Sequence, residues 1–341
     1  MGVKLKDLAD PRKTSFENLS GNLIAIDGYN IIYQFLTTIR GPTGEPLMNN
    51  KGKITSHLTG LFYRNINLLN NNIQPIYVLD GKPPQLKSTL IKKRKEIREK
   101  NQEKYRKAME EGDQEQARRY AHSMIKINED IINDVKKILE LLGIQCIQAP
   151  AEGEATAAYM NDIGLVNYTV SQDYDSLLFG AKRLCRNLTV SGKRRIPRTN
   201  RFIDVDPEII DLKEFLRINE ITREQLVDIA ILIGTDYNPD GFTRIGPKTA
   251  IKHIKKYNNI ENIPKIEKEL ELIDINEVRN MFLNPEVVKP EISDKKEIQK
   301  EKLISYLCDD NDFSTDRISN MIKKLDKVEE QKSESLDKWF N

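Results

Sequence analysis

The sequence predicts an α/β fold built on a mostly parallel central sheet with helices on both faces. Three observations carry that expectation. Four short apolar runs rich in Ile and Val have the composition of buried parallel strands. Helical patterns alternate with them. Acidic residues stand just past the apolar runs, where the carboxyl ends of parallel strands open onto one crevice.

The runs are Leu23–Asp27, Ile73–Asp80, Gly143–Gln148 and Val166–Ser171. Ser56–Leu69 carries Leu58, Leu61, Phe62, Ile66 and Leu69 at the three-and-four spacing of an amphipathic helix. Ile125–Leu142 repeats that spacing with Ile131, Ile132, Val135, Ile138 and Leu139, and Gly143 stops it. The stretch from about Pro83 to Arg119 departs from the pattern. It is highly charged, poor in large apolar residues and interrupted at Glu111-Gly112-Asp113. A helix there buries little of either face, so it should project from the core or order only on binding. Thr222–Gly234 is a further amphipathic helix, and Gly246-Pro247 opens another. A helix starting at Pro247 presents free backbone N–H groups and Lys248 to an anion such as a DNA phosphate, although an ordinary helix start has the same form. Residues 284–300, with Pro285 and Pro290, read as an exposed connection, and Ile318–Val328 as a last short helix. The resulting division is a first part of the core over 1–82, an insert over 83–124 and a second part of the core over 125–262. A helical region over 263–328 packs on that core, and a tail follows over 329–341.

The composition, 341 residues with 38% hydrophobic and 31% charged, suits a globular protein of one extended domain or two. No apolar stretch reaches the length of a membrane span and the N-terminus lacks a signal-peptide core, so the expectation is an intracellular protein with no membrane partner. Cys146, Cys185 and Cys308 lie far apart, as reduced thiols do, and His57, His122 and His253 are equally dispersed. Neither set has metal-ligand spacing. The net charge of +2 hides strong local patterning. Lys87 to Lys107 holds ten Lys/Arg against three Glu, and Lys182 to Arg201 holds eight Lys/Arg and no acid.

The acids beside the apolar runs are Asp27, Asp80, Glu152, Glu154, Asp173, Asp175 and Asp236. One Asp after a strand is ordinarily a turn residue or a helix cap. The pairs Glu152-Gly153-Glu154 and Asp173-Tyr174-Asp175, and the repetition at strand after strand, are harder to explain that way. Seven like charges sharing a crevice need cations, and hard oxygen donors without His or Cys favour Mg²⁺ or Mn²⁺. Basic runs are usually solvated faces. Beside an acidic crevice, they fit a polyanionic substrate held over repelling acids. The chain therefore reads as a metal-dependent phosphodiesterase. The tail carries Leu336, Trp339 and Phe340 at helical spacing, with the only tryptophan of the chain. It suits a groove on another protein, or a segment folded back on its own domain.

Five segments, Asp27 to Leu36, Val78 to Pro84, Ala149 to Ala155, Ser171 to Gly180 and Ile233 to Tyr237, resemble in order and spacing the XPG-type structure-specific 5′ nucleases. The compact size and the tail narrow the resemblance to flap endonucleases of archaeal type. It implies a PIN-like nuclease core with a helical arch insert and a helix-turn-helix-type duplex-binding element. The implied activity is hydrolysis of a phosphodiester near the junction of branched DNA carrying a 5′ flap, in Okazaki-fragment maturation and base-excision repair. It also implies two Mg²⁺ ions, with Mn²⁺ a substitute, held by the seven acids. Lys87 and Arg94 fall where the family has two basic catalytic residues, two turns apart on one helix face. Tyr33 falls where it has a base-stacking residue, although from sequence alone it reads as core. DNA contacts are implied at Gly234, Asp236, Gly246, Lys248, Thr249 and Arg64, with K⁺ at the duplex-binding turn. Here Asn238-Pro239-Asp240-Gly241 enlarges the loop before that turn. Residues 333–340 resemble the segment that docks on a PCNA-type sliding clamp, with Ser333 where a Gln is usual. The remaining implications are a monomer and a place in the cytoplasm or nucleoid of an archaeon. Three other readings stay open. They are a processive exonuclease or bubble-cutting relative, a small RNase on the same acidic sheet, and a clamp-bound scaffold with a relic site.

Overall fold

A computed structural model describes residues 2–41, 44–121, 125–189, 193–195, 202–264 and 266–325. Its centre is a seven-stranded sheet in the order β1-β9-β6-β5-β2-β3-β4. The strands are β1 (Arg12–Lys13), β2 (Leu23–Asp27), β3 (Gln74–Leu79), β4 (Cys146–Gln148), β5 (Tyr168–Val170), β6 (Arg183–Arg186) and β9 (Glu208–Asp211). β6, β5, β2, β3 and β4 are mutually parallel, and β9 pairs antiparallel with β6 and with β1. A separate antiparallel pair, β7 (Lys193–Arg195) with β8 (Phe202–Asp204), lies within and just past the second basic run.

Both faces of the parallel strands are covered, as the continuous apolar runs require. On one side α1 (Gly28–Thr38), α2 (Ser56–Asn70) and α5 (Glu129–Leu141) bury Ile31, Phe35, Leu61, Phe62, Ile66, Val135 and Ile138 in one cluster with Ile24, Ile26, Tyr77 and Leu79 of the strands. Each such side chain contributes roughly 1.5–3 kcal/mol over leaving it in water. On the other side α6 (Gly153–Asp162) packs on Ala25, Ile76 and Val78. Next to it, α7 (Asp175–Leu178), α8 (Leu212–Asn219), α9 (Arg223–Ile233), α10 (Pro247–Tyr257), α11 (Glu267–Leu270) and α12 (Ile275–Leu283) surround a second cluster. Thr222 closes a capping box with Gln225 at the start of α9. Arg279 of α12 grips Asp228 of α9 with two bonds of 2.6 and 2.8 Å.

Between β3 and β4, α3 (Ser88–Glu110) and α4 (Gln114–Ala121) form a helical hairpin turned at Gly112. Ala108 and Ala117 are the buried contact between its arms, which accounts for a long polar pair having any packed face. The hairpin is tied to the core at its base, where Leu86 packs on the second cluster and Lys93 reaches Asp240 at 2.7 Å.

Other expectations are met or refined. The helix expected over Thr222–Gly234 is α9, so the apolar run before Asp236 is the end of a helix and not of a strand. Residues 284–300 are the exposed connection expected, without regular structure through residue 299, and they are also tied to the core. Gln145 donates to the Glu291 carbonyl and accepts from Ser293, and Gln299 N–H reaches Leu141, so the segment straps the β4 edge down before α13 (Lys300–Cys308) begins. Part of the second basic run is strand: β6 is a sheet member and β7 half of the ribbon. The last helix spans 315–325 within the described residues. Among the described residues, no helix is long and apolar enough to cross a membrane.

Candidate active site

The parallel strands deliver their acids to one end of the sheet. Asp27 is the last residue of β2 and the N-cap of α1, Asp80 follows β3, Glu152 and Glu154 begin α6 after β4, and Asp173 and Asp175 follow β5 at the start of α7. Asp236 joins them from the turn after α9, near enough to Asp175 to act on its charge. Like-charge effects link them. Asp27 is held well above the usual carboxylate range by burial and then by the charges of Asp80, Asp173 and Glu152. Burial and Glu152 push Asp80 up to about 6, against the help of a Gly153 N–H bond. Burial, Asp173 and Asp236 push Asp175 up to about 7, and burial with Asp175 and Asp27 raises Glu154.

Each carboxylate is pinned by a neighbour. Gly153 N–H donates to Asp80 Oδ1 at 2.7 Å, and the N–H and hydroxyl of Ser176 both donate to Glu154 Oε1, at 3.0 and 2.5 Å. A side chain at 153 would meet Asp80 Oδ1 and the Val78 carbonyl at 2.9 Å, so the turn from β4 into α6 requires glycine. Asn30 spans the crevice floor. Its N–H donates to Asp27 Oδ1 at 3.1 Å, its amide donates to Asp173 Oδ2 at 2.8 Å, and its amide oxygen accepts from Gln172 N–H. The N-terminal segment of the chain completes the wall. Val3 N–H donates to buried Asp175 Oδ1 at 2.7 Å, and a Cβ on Gly2 would come within 2.6 Å of both Asp173 Cβ and Asp175 Oδ1.

Lys87 occupies the mouth. It is the N-cap residue of α3, with helical backbone, and Arg94 lies two turns further along that helix. Their side chains converge. Lys87 Nζ lies 2.6 Å from Glu152 Oε1 and 3.5 Å from Asp236 Oδ2, and Arg94 reaches Asp236 Oδ1 at 3.1 Å. Burial works against the Lys87 charge, but Glu152 and Asp236 outweigh it and push its pKa up.

The remaining expected residues are more dispersed. Tyr33 is 47% exposed on α1, not core, which is a correction to the sequence reading. Gly234 caps α9, and Gly246 caps α10 with Pro247 in its first turn and Lys248 and Thr249 exposed beside it. Arg64 is half-buried on α2, where burial lowers its pKa and nearby Tyr77 opposes that shift. Leu336, Trp339 and Phe340 lie outside the described residues. Sequence reasoning missed Gly2, Val3, Asn30, Ser176 and Tyr237. Asn30 and Ser176 sit inside the acidic motifs, three residues and one residue past an Asp, and that spacing was the available signal.

The donor set fits hard divalent cations. It is all oxygen, dense in charge, and partly neutralised by a lysine ammonium placed between two acids. Among the described residues, no three acids are close enough together to hold an ion in common. The pins above account for that spread, since uncompensated carboxylates separate and take N–H and ammonium partners.

The raised acids give a signed expectation for the metal-free protein. Folded-state values of about 6 for Asp80 and about 7 for Asp175, against 3.8 ordinarily, mean that the folded state binds more protons than the unfolded state over that range. Stability is then lost as pH rises from about 4 through about 7, by an amount on the order of a few kcal/mol. In chelator the melting temperature should fall by about 5 °C between pH 5 and pH 8, and Mg²⁺ should restore it at pH 8. A chelated protein that melts as high at pH 8 as at pH 5 would contradict the crowding of the acids.

Comparison with known proteins places this arrangement. The XPG N-terminal domain model matches residues 1–101, and the XPG I-region model matches residues 143–236. The chain is 48% identical to a flap endonuclease 1 of Nitrosopumilus maritimus and 46% identical to that of Pyrococcus furiosus. It spans all of itself in both alignments, and 100% and 99% of those proteins. It superposes on the flap endonuclease-1 structure from Methanococcus jannaschii with a TM-score of 0.77 and 40% identity, over 97% of this chain and 100% of that one.

Proposed function

The chain belongs to the flap endonucleases of the XPG nuclease family, and from that premise we propose that its acidic crevice cuts branched DNA at the base of a 5′ flap, with Lys87 and Arg94 as its basic catalytic pair. It is a metal-dependent, structure-specific nuclease that hydrolyses DNA. The observation that carries the detailed reading is the convergence of Lys87 and Arg94 on Asp236 at the foot of the helical hairpin, over acids from four strand ends.

The seven acids would hold two Mg²⁺ ions, or Mn²⁺ in their place: Asp27, Asp80, Glu152 and Glu154 with Asp173, Asp175 and Asp236. Bound there, the ions would supply Lewis-acid activation of water and stabilisation of the leaving oxygen. The protein's own part is positioning. Asn30 fixes the separation of Asp27 and Asp173, Ser176 turns Glu154, and the turn at Gly153 sets Asp80. Lys87 and Arg94 give up their carboxylate partners for the scissile phosphate and stabilise the charge that grows on its oxygens. Tyr33 offers an exposed ring to the adjacent base. Gly234, Gly246, Lys248 and Thr249 present backbone and side-chain donors to the duplex, with K⁺ at that turn. The α3–α4 hairpin is the arch over the single strand. Residues 333–340 dock on a PCNA-type clamp, and the enzyme works as a monomer inside an archaeal cell, in Okazaki-fragment maturation and base-excision repair.

The test is mapping of incision on 5′-labelled double-flap DNA, with Mg²⁺ and with chelator. One Mg²⁺-dependent cut close to the junction is expected. A ladder on RNA or on gapped DNA, with no flap cleavage, would move the site to a different substrate. Tight DNA binding without any cut would favour a scaffold.

A further inference from the structure

Tyr237 sits where the core meets the basic mouth of the crevice, and the functional reading leaves it without a task. Its ring packs edge-on against Phe282 at 5.1 Å and 73°, and Phe282 is 1% exposed and lies 5.1 Å from Phe179. Its N–H donates to Thr235 Oγ1. The ring is therefore fixed from behind. On its open side Lys87 Nζ lies 5.3 Å from the ring centroid. The phenol hydroxyl is buried without a well-aligned hydrogen bond, and Glu152 is the acid within its reach and the charge that weighs most on it. Glu152 Oε1 is buried as well, with the Lys87 ammonium at 2.6 Å as its ion-pair partner.

Buried hydroxyls in folded proteins are ordinarily paired, and one without a well-aligned bond calls for an explanation. An ammonium held between two carboxylates must also leave them to serve a phosphate, which strands a buried carboxylate oxygen. One side chain answers both points. We propose that Tyr237 is a positioning residue for Lys87, its ring a platform that keeps the ammonium in the crevice mouth and its hydroxyl the donor that replaces the ammonium on Glu152 when Lys87 turns to the scissile phosphate. The platform is a cation–π contact. The replacement is a hydrogen-bond exchange with no covalent change: the phenol keeps its proton and donates it to Glu152 Oε1. The proposal rests on the role given to Lys87 above.

Tyr237→Phe keeps the ring and removes the donor, while Tyr237→Leu removes both. Single-turnover cleavage of flap DNA should fall about tenfold in Tyr237→Phe and about a hundredfold in Tyr237→Leu, with DNA affinity within about twofold of wild type. A role confined to core packing would not follow the Lys87 ammonium, so the second readout does. In protein reductively methylated with ¹³C, the Lys87 N-methyl signal is assigned by its loss in Lys87→Arg. It should lie upfield of the other lysines, as expected for a group over a ring face, remain so in Tyr237→Phe, and move downfield in Tyr237→Leu. An unmoved signal in Tyr237→Leu overturns the platform, and a Tyr237→Phe rate equal to wild type overturns the donor exchange. If wild type does not cut flap DNA, the functional reading fails while the resonance still decides the platform.

Discussion

Asp173→Ala is expected to lower metal-dependent cleavage by about 10³-fold or more, while affinity for flap DNA stays within a few-fold of wild type. Asp173 stands between Asn30, which orients one of its oxygens, and the N-terminal segment at Gly2, with Asp175 close enough to feel its charge. On the proposed metal role, truncation therefore removes one ligand and slackens the wall around the neighbouring Asp175. The measurement is single-turnover cleavage beside a gel-shift titration in Ca²⁺. Cleavage retained above about a tenth of wild type would take Asp173 out of the reacting centre. Binding lost together with cleavage would instead assign it to substrate docking. Added Mn²⁺ should rescue only weakly, because the lost oxygen is not supplied by any neighbour in the crevice.

Lys87→Ala should cost about 10²- to 10³-fold in the cleavage step. The expected loss is larger than for Arg94→Ala, because Lys87 is 19% exposed and Arg94 is 44% exposed, and a partly desolvated charge interacts more strongly than a solvated one. Lys87→Arg should recover part of the rate, since it restores charge but not the compact ammonium. The same variant has a second consequence in metal-free protein. Without the ammonium, Glu152 and Asp236 lose the cation that lies between them, so Lys87→Ala should melt lower than wild type in chelator and regain most of the difference in Mg²⁺. A Lys87→Ala protein that cuts at the wild-type rate would remove Lys87 from the mechanism whatever its stability.

Much of this site was legible in the sequence because its acids are local to strong signals. Leu23–Asp27 reads as a strand and is one, residue for residue, and buried parallel strands announce themselves by unbroken Ile and Val. The acids that follow β2, β3, β4 and β5 were therefore readable as a set. The elements that escaped have no such signature. β1 is two exposed charged residues, and β9 is Glu208–Asp211 with acids at both ends, so each exists as strand only through its partner. Part of the second basic run is strand for the same reason, since Arg183 and Arg186 flank a two-residue apolar centre. Val3 and Tyr237 meet residues far away in the chain, and no spacing rule encodes such contacts.

The pairing of β1 with β9 has a consequence for how the enzyme comes into being. Arg12 lies opposite Ile209, so the segment that brings Gly2 and Val3 to Asp173 and Asp175 has its sheet partner only once nearly 200 further residues have been made. Contacts between such distant parts of a chain form late. Asp236 lies beyond even that point. A chain still on the ribosome thus carries Asp27 and Asp80 early but cannot close the crevice around them. Cutting power would arrive in a single late step, after the sheet has its far edge, so that half-made molecules in a cell full of DNA are harmless.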